Sequence, residues 1–215
     1  MAETSAAARL AGLHLVTDST LCGARGVMAV VEAAVRGGAR VVQLREKTLA
    51  TRAFVERARA LKALLQPLGV PLIINDRLDV ALACGADGVH VGQDDLSPRD
   101  MRRWMPDGLI GLSIERIEQL DAAERLPVDY YGASPVFATA TKADAAPALG
   151  LDGLRALRAR TTRPLVAIGG IGEHNAAAVM AAGADALAVV SALCAAPDPE
   201  DAARRLCAAM ETKGT

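Results

Sequence analysis

The 215-residue sequence predicts a single-domain (β/α)8 barrel. Three observations carry that prediction. Short apolar, β-rich runs alternate along the chain with Ala-, Leu- and Arg-rich segments of helical spacing. Most runs are near-continuously apolar, as parallel strands covered on both faces must be. Polar and charged residues gather just after the runs, where strand C-terminal ends carry the chemistry of such barrels. An open doubly wound sheet fits the alternation too and stays open as the alternative on pattern alone.

In order, the runs are LHLVT (13–17), RVVQLR (40–45), PLIIN (71–75), DGVHVG (87–92), LIGLS (109–113), VDYYGA (128–133), PLVAIG (164–169) and DALAVVS (185–191). Helical spacing covers 26–37, 51–66, 77–84, 97–104, 115–125, 151–160, 174–182 and 198–211. Thr51, Ser97 and Asn175 are candidate caps near three of the helix starts. Segment 139–150 has weak periodicity and reads as a long loop. GGARVVQLR, CGADGVHVG and AGADALAVV echo one another, each a helix end, a polar residue and a strand. The opening MAETSAAARLAG reads as a flexible lead-in over 1–12, with the barrel domain over 13–215.

Composition narrows the function. With 24 basic and 25 acidic residues, the chain makes no electrostatic case for nucleic acid or an anionic membrane. Aromatic residues are only 2%, too few for a base-stacking platform. No apolar run is long enough to span a bilayer. Cys22, Cys84, Cys194 and Cys207 are scattered with no CxxC pair, which points to reduced structural thiols in a cytoplasmic protein. Oligomeric state is left open; a homo-oligomer is compatible with the sequence.

The polar strand ends form a chemical set. They are Gln43, Arg45 and Lys47 after the second run, and Asn75, Asp76 and Arg77 after the third. Gln93, Asp94 and Asp95 follow the fourth, Ser113 ends the fifth, and Thr139, Thr141 and Lys142 follow the sixth. Gly169-Gly170 and Ser191 end the last two. Any one of these has a bland reading, such as a helix cap or a solvated charge. Their shared location favours a site, since charges that merely face solvent should be spread over both barrel ends.

Asp76 and Asp95 can hold a hard divalent cation whose octahedron is completed by phosphate oxygens and water. Arg45, Lys47 and Lys142 can neutralise a polyphosphate, while Asn75 and Ser113 add neutral hydrogen bonds. This set suits a magnesium diphosphate and not zinc. His14, His90 and His174 lack metal-ligand spacing and read as structural. AIGGIGEHN (167–175) reads as strand, glycine turn and helix start, able to hold a phosphate on backbone N–H groups, with VVS (189–191) beside it.

Together QLREK (43–47), NDR (75–77), ADGVHVGQDDL (86–96), GLS (111–113), SPVFATATK (134–142), AIGGI (167–171) and AVVSAL (188–193) resemble the thiamine-phosphate synthase family, in its order and over nearly the whole chain. The resemblance implies an Mg²⁺-dependent transferase acting on two small molecules. One is 4-amino-2-methyl-5-hydroxymethylpyrimidine diphosphate and the other 4-methyl-5-(2-phosphooxyethyl)thiazole. It implies Gln43, Arg45, Glu46, Lys47, Asn75, Ser113 and Lys142 around the pyrimidine diphosphate, with Arg45, Ser113 and Lys142 in the catalytic roles. It implies Asp76 and Asp95 on Mg²⁺, and Thr139, Thr141, Gly170, Val190 and Ser191 around the thiazole phosphate.

Two positions depart from the family pattern: Ser134-Pro135 stands where Gly-Pro is common, and Ile114-Glu115 where a His often follows the serine. The competing readings are a thiazole tautomerase-like isomerase and a non-catalytic thiazole-phosphate sensor on the same barrel. Neither has use for two metal carboxylates facing a cationic set. Phosphosugar epimerases would need a catalytic acid–base pair at the strand ends.

Overall fold

The computed structural model describes residues 5–139 and 146–211. Among them, eight strands form a closed barrel in chain order: β1 (Gly12–Val16), β2 (Ala39–Leu44), β3 (Leu72–Asn75), β4 (Gly88–Val91), β5 (Leu109–Ile114), β6 (Tyr130–Ala133), β7 (Leu165–Ile168) and β8 (Ala186–Val189). Every neighbouring pair is parallel, and β1 closes on β8. All eight expected runs are strands, shifted by a residue or two at their ends, and the open-sheet alternative falls.

Strand alternation divides each run between two cores. Residues such as Leu13, Val42, Ile74, Val89, Ile110 and Leu187 face outward and are buried against the surrounding helices. Val41, Ile73, Leu109, Tyr130, Val166, Ala186 and Ala188 face inward and fill the barrel. The inward rows explain why a buried strand such as β2 ends in polar groups. They run upward from apolar to polar: Val41, Gln43 and Arg45 on β2 and its end; Ile73 and Asn75 on β3; Leu109, Gly111 and Ser113 on β5. The lower part of each row is core and the upper part is cavity wall.

The lower rim is stapled by three aspartates at the starts of β4, β6 and β8. Asp87 accepts from the Leu72 N–H at 2.8 Å and from Lys62 Nζ at 2.8 Å. Asp129 accepts from the Ile110 N–H at 2.7 Å and from Arg102 at 2.6 Å. Asp185 accepts from the Leu165 N–H at 2.8 Å and from Arg158 at 2.8 Å. Two of these are the Asp of the repeated GAD units, so that echo marks a recurring strand-start staple.

The helices Gly26–Arg36, Thr51–Leu65, Leu78–Cys84, Pro98–Trp104, Gly150–Arg158, Glu173–Ala181 and Pro199–Glu211 match seven expected segments. The eighth, expected over 115–125, is reduced to a 3-10 turn, Ile117–Gln119, and a short helix, Leu120–Ala123. The Gln119 side chain accepts from the Glu115 and Arg116 N–H groups at 2.8 and 3.1 Å and holds the entry in a turn. Ser97 caps its helix, and Asn175, the third residue of its own, accepts the N–H of the cap residue Gly172, whereas Thr51 is the first helical residue. Of the expected 139–150 loop, residues 140–145 lie outside the described residues.

Part of the stretch expected as a lead-in is helical, while residues 1–4 lie outside the described residues. Ala6–Leu10 is a helix capped by Ser5, and Leu10, 1% exposed, belongs to the inner core. Its carbonyl lies 2.6 Å from His14 Nε2, tying the segment to β1. A five-residue helix leaves no periodicity to read; one inward leucine and one histidine hold it. No helix among the described residues is long and apolar enough to cross a membrane.

Candidate active site

The strand C-terminal ends surround a cavity of about 760 Å³. Gln43, Arg45, Lys47, Asn75, Asp76, Asp95, Ser113, Thr139, Gly170, Val190 and Ser191 all line it. Thr141 and Lys142 lie outside the described residues.

Glu46 does not line it. Its side chain is 2% exposed and turned away, where Oε1 accepts from Ser19 Oγ at 2.6 Å and pairs with the Arg57 guanidinium. Strand parity is the reason: Arg45 and Lys47 point inward, so the residue between them points toward the Thr51–Leu65 helix, which supplies Arg57. The Glu46 side chain thus anchors the loop that presents the two cations. Thr17 Oγ1, which takes the Arg45 N–H at 3.0 Å, fixes the same turn.

The two carboxylates stand on loops of defined shape. Asp76 has φ +60, and apart from glycines it is the one residue with positive φ among those described. That region is unfavourable for a side-chain residue and is least so for Asp and Asn. The conformation is held by the Asp76 N–H donating to the His90 carbonyl at 2.8 Å. Lys47 Nζ lies 2.6 Å from Asp76 Oδ2, so the cation of one strand end meets the carboxylate of the next. Asp95 curls back to accept the Gly92 N–H at 2.8 Å. Gln93 Nε2 donates to the Ser113 carbonyl at 2.6 Å, tying the β4 end to the β5 end.

Among the described residues no three or more His, Cys, Asp or Glu groups cluster as a metal cage. Two carboxylates with hard oxygen donors still fit a cation such as Mg²⁺, which retains water and takes substrate phosphate oxygens. They do not fit zinc, which takes three or four protein ligands, mostly Cys and His.

On the opposite wall, Gly169 and Gly170 have φ +105 and +63. A Cβ on Gly170 would come 2.8 Å from the Ala138 carbonyl oxygen and 2.8 Å from Phe137 Cβ. Only glycine lets the turn lie flat against the β6 extension, and this brings Thr139 beside it. Asn175 pins the turn: Nδ2 donates to the Gly170 carbonyl and Oδ1 accepts the Gly172 N–H, both at 2.9 Å. Past β8, Arg25 holds the next loop by donating to the carbonyls of Cys194, Ala196 and Pro197. The result is a backbone-rich corner formed by Gly170, Val190, Ser191 and Thr139.

The sequence reading passed over the cavity floor. His14, His90 and Tyr130 line it, although both histidines read as structural. Burial pushes the pKa of each histidine down to about 4, so both are neutral near pH 7. Burial also pushes the Tyr130 phenol upward, keeping it protonated. Parity was the available signal, since His90 lies on the inward row between outward Val89 and Val91.

The family model described as thiamine monophosphate synthase matches residues 13–193. A thiamine-phosphate synthase from Albidiferax ferrireducens is 58% identical over 195 residues, covering 90% of this chain and 89% of the relative. One from Solidesulfovibrio magneticus is 59% identical over 195 residues, covering 90% and 92%. The solved structure of thiamine phosphate pyrophosphorylase from Pyrococcus furiosus superposes with a TM-score of 0.86 at 36% identity, covering 93% of this chain and 95% of that one. With the barrel, the cation–carboxylate wall and the glycine corner all on one chain, this protein belongs to the thiamine monophosphate synthase family of transferases.

Proposed function

We propose that this chain joins 4-amino-2-methyl-5-hydroxymethylpyrimidine diphosphate to 4-methyl-5-(2-phosphooxyethyl)thiazole, giving thiamine phosphate and diphosphate. The observation that carries this reading is the pairing of two different anion sites across one cavity. One wall has Arg45, Lys47, Asp76 and Asp95; the other has the Gly170 turn beside Ser191. A substrate bearing a diphosphate and a substrate bearing a monophosphate are what such a cavity is shaped to bring together.

In this reading Gln43, Arg45, Lys47, Asn75, Ser113 and Lys142 hold the pyrimidine diphosphate. Thr139, Thr141, Gly170, Val190 and Ser191 hold the thiazole phosphate. Asp76 and Asp95 hold Mg²⁺, which when bound neutralises charge on the diphosphate. Glu46 is left out of the ligand set because it faces Arg57. The reaction is dissociative: the methylene C–O bond breaks with its electron pair leaving on diphosphate, and the ring amine stabilises the methylene cation. The thiazole nitrogen then forms the new C–N bond. The protein supplies no nucleophile. Arg45 and Lys47 meet the growing negative charge, and the two walls set the distance between the reacting atoms. Cytoplasmic residence belongs to the same reading, supported by four free thiols among the described residues.

The isomerase and sensor alternatives lack support from the metal wall, which neither activity needs. The test supplies purified protein with both substrates and Mg²⁺ and follows thiamine phosphate by chromatography. Product formation that needs both substrates is expected. Turnover of a thiazole phosphate alone, with no condensation product, contradicts the proposal and favours the isomerase.

A further inference from the structure

Three polar side chains form a line across the cavity floor on three neighbouring strands. His90 on β4 has Nε2 2.9 Å from Ser113 Oγ on β5, and Nδ1 3.0 Å from the Tyr130 hydroxyl on β6. The barrel makes room for this line. Gly111 stands in register between His90 and Tyr130. A Cβ there would lie 2.2 Å from Tyr130 Cζ and 2.4 Å from His90 Nδ1. Gly132 does the same on the next strand, where a Cβ would lie 2.9 Å from His90 Cε1. Glycine weakens a strand interior and is found where something must approach closely. Here the His90 ring approaches at both positions and the Tyr130 ring at the first.

We propose that Tyr130 and His90 are positioning residues that fix the Ser113 hydroxyl as a hydrogen-bond donor into the cavity. The direction of the chain follows from counting hydrogens. Tyr130 is 2% exposed, and among the described residues its hydroxyl has no partner but His90. If Nδ1–H donated to the Tyr130 oxygen, the phenolic hydrogen would be buried without an acceptor, which is unfavourable. An imidazolium would donate at both nitrogens and strand the same hydrogen. The arrangement that leaves no donor stranded has the Tyr130 O–H donating to Nδ1 and the Nε2–H donating to Ser113 Oγ. With its oxygen taken by that donor, Ser113 turns its own hydrogen away from His90 and toward the cavity. On the synthase reading, which this inference rests on, the acceptor is an oxygen of the pyrimidine diphosphate. A hydroxyl so oriented is a preorganised donor for charge that grows as the leaving group departs.

The experiment combines a tautomer measurement with a mutant cycle. In the substrate-free protein, ¹⁵N NMR of the histidine rings should show His90 as the Nε2–H tautomer, with the signal assigned by its loss in His90→Gln. Tyr130→Phe keeps the ring and removes the donor, so it should release this tautomer preference. Its kcat should fall about tenfold, with the KM for thiazole phosphate unchanged. In a Ser113→Ala background, Tyr130→Phe should lower kcat no further, because the oriented group is already gone. An Nδ1–H tautomer in the wild type overturns the proposal, and so do effects of the two substitutions that multiply independently. The tautomer is read without substrate, so it is separate from the synthase reading. A chain showing the Nε2–H form but making no thiamine phosphate overturns the synthase reading and the purpose assigned to Ser113.

Discussion

The two rims of the barrel carry similar residues and use them in opposite ways. At the lower rim Asp87, Asp129 and Asp185 each accept a backbone N–H from the neighbouring strand and a Lys or Arg side chain, with every distance between 2.6 and 2.8 Å. At the upper rim Asp76 meets, among the described residues, the flexible Lys47 ammonium alone, and its backbone is held at φ +60. Asp95 takes one backbone N–H from its own loop. Among the described residues, Arg45 has no closer carboxylate than Asp18 at 3.9 Å. Each lower-rim carboxylate bridges the N–H of a neighbouring strand and a cation of a surrounding helix. Upper-rim charges keep capacity in hand for a ligand. What distinguishes a site from a staple is therefore whether its charges bridge strand to helix, since both rims are charged.

That contrast can be broken at four points, in falling order of effect. Asp76→Asn keeps the shape and the tolerance of positive φ but removes the charge. It should lower kcat/KM about 10²–10³-fold with little change in melting temperature. A matching loss of stability would make Asp76 a staple like those below.

Between the rims lie the floor histidines, whose pKa values fall from 6.5 unfolded to about 4 folded. Above pH 6.5 both states are neutral, and the full stability is present. As pH drops from 6.5 to 4 the unfolded chain takes up protons that the folded chain refuses. Stability should fall across that window by on the order of 3 kcal/mol per histidine. Denaturant titrations at pH 7 and pH 4.5 check this, and replacing His14 should flatten the dependence.

On the lower rim, Asp129→Ala strands the Ile110 N–H and releases Arg102. A loss of about 2 kcal/mol is expected, or roughly 4–8 °C in melting temperature, with kcat intact. Smallest of the four, Lys62→Met leaves Asp87 its Leu72 N–H partner and should cost under about 1 kcal/mol. A large activity loss from either lower-rim substitution would erase the distinction between the rims.

Much of this was legible in the sequence, for reasons that particular residues make plain. Strand runs are visible because both faces of β2 or β5 must be apolar where buried. Gln43, Arg45, Asn75 and Ser113 stand out because each inward row turns polar where it leaves the core. Glu46 sits between two inward cations and differs from them only in parity, which turns its side chain to Arg57. Its true partner, Arg57, is on the next helix, and no local pattern announces that pairing. Asp87 and Asp95 are indistinguishable by composition; only the strand ends nearest each of them separate staple from ligand. His90 and Tyr130 were passed over as core, since a histidine in an apolar run looks the same whether it merely fills space or orients a neighbour. The Gly111 and Gly132 gaps beside them become meaningful only once strand register is known.

The central claim is that the upper-rim carboxylates and cations form a magnesium diphosphate site. Calorimetric titration of diphosphate into the purified protein tests it most directly, with Mg²⁺ and then with excess chelator. Diphosphate should bind once per chain with Mg²⁺ present, lose that binding in chelator and in Asp95→Asn, and keep it in Asp129→Ala. Equal binding in chelator, or wild-type affinity in Asp95→Asn, would contradict the account.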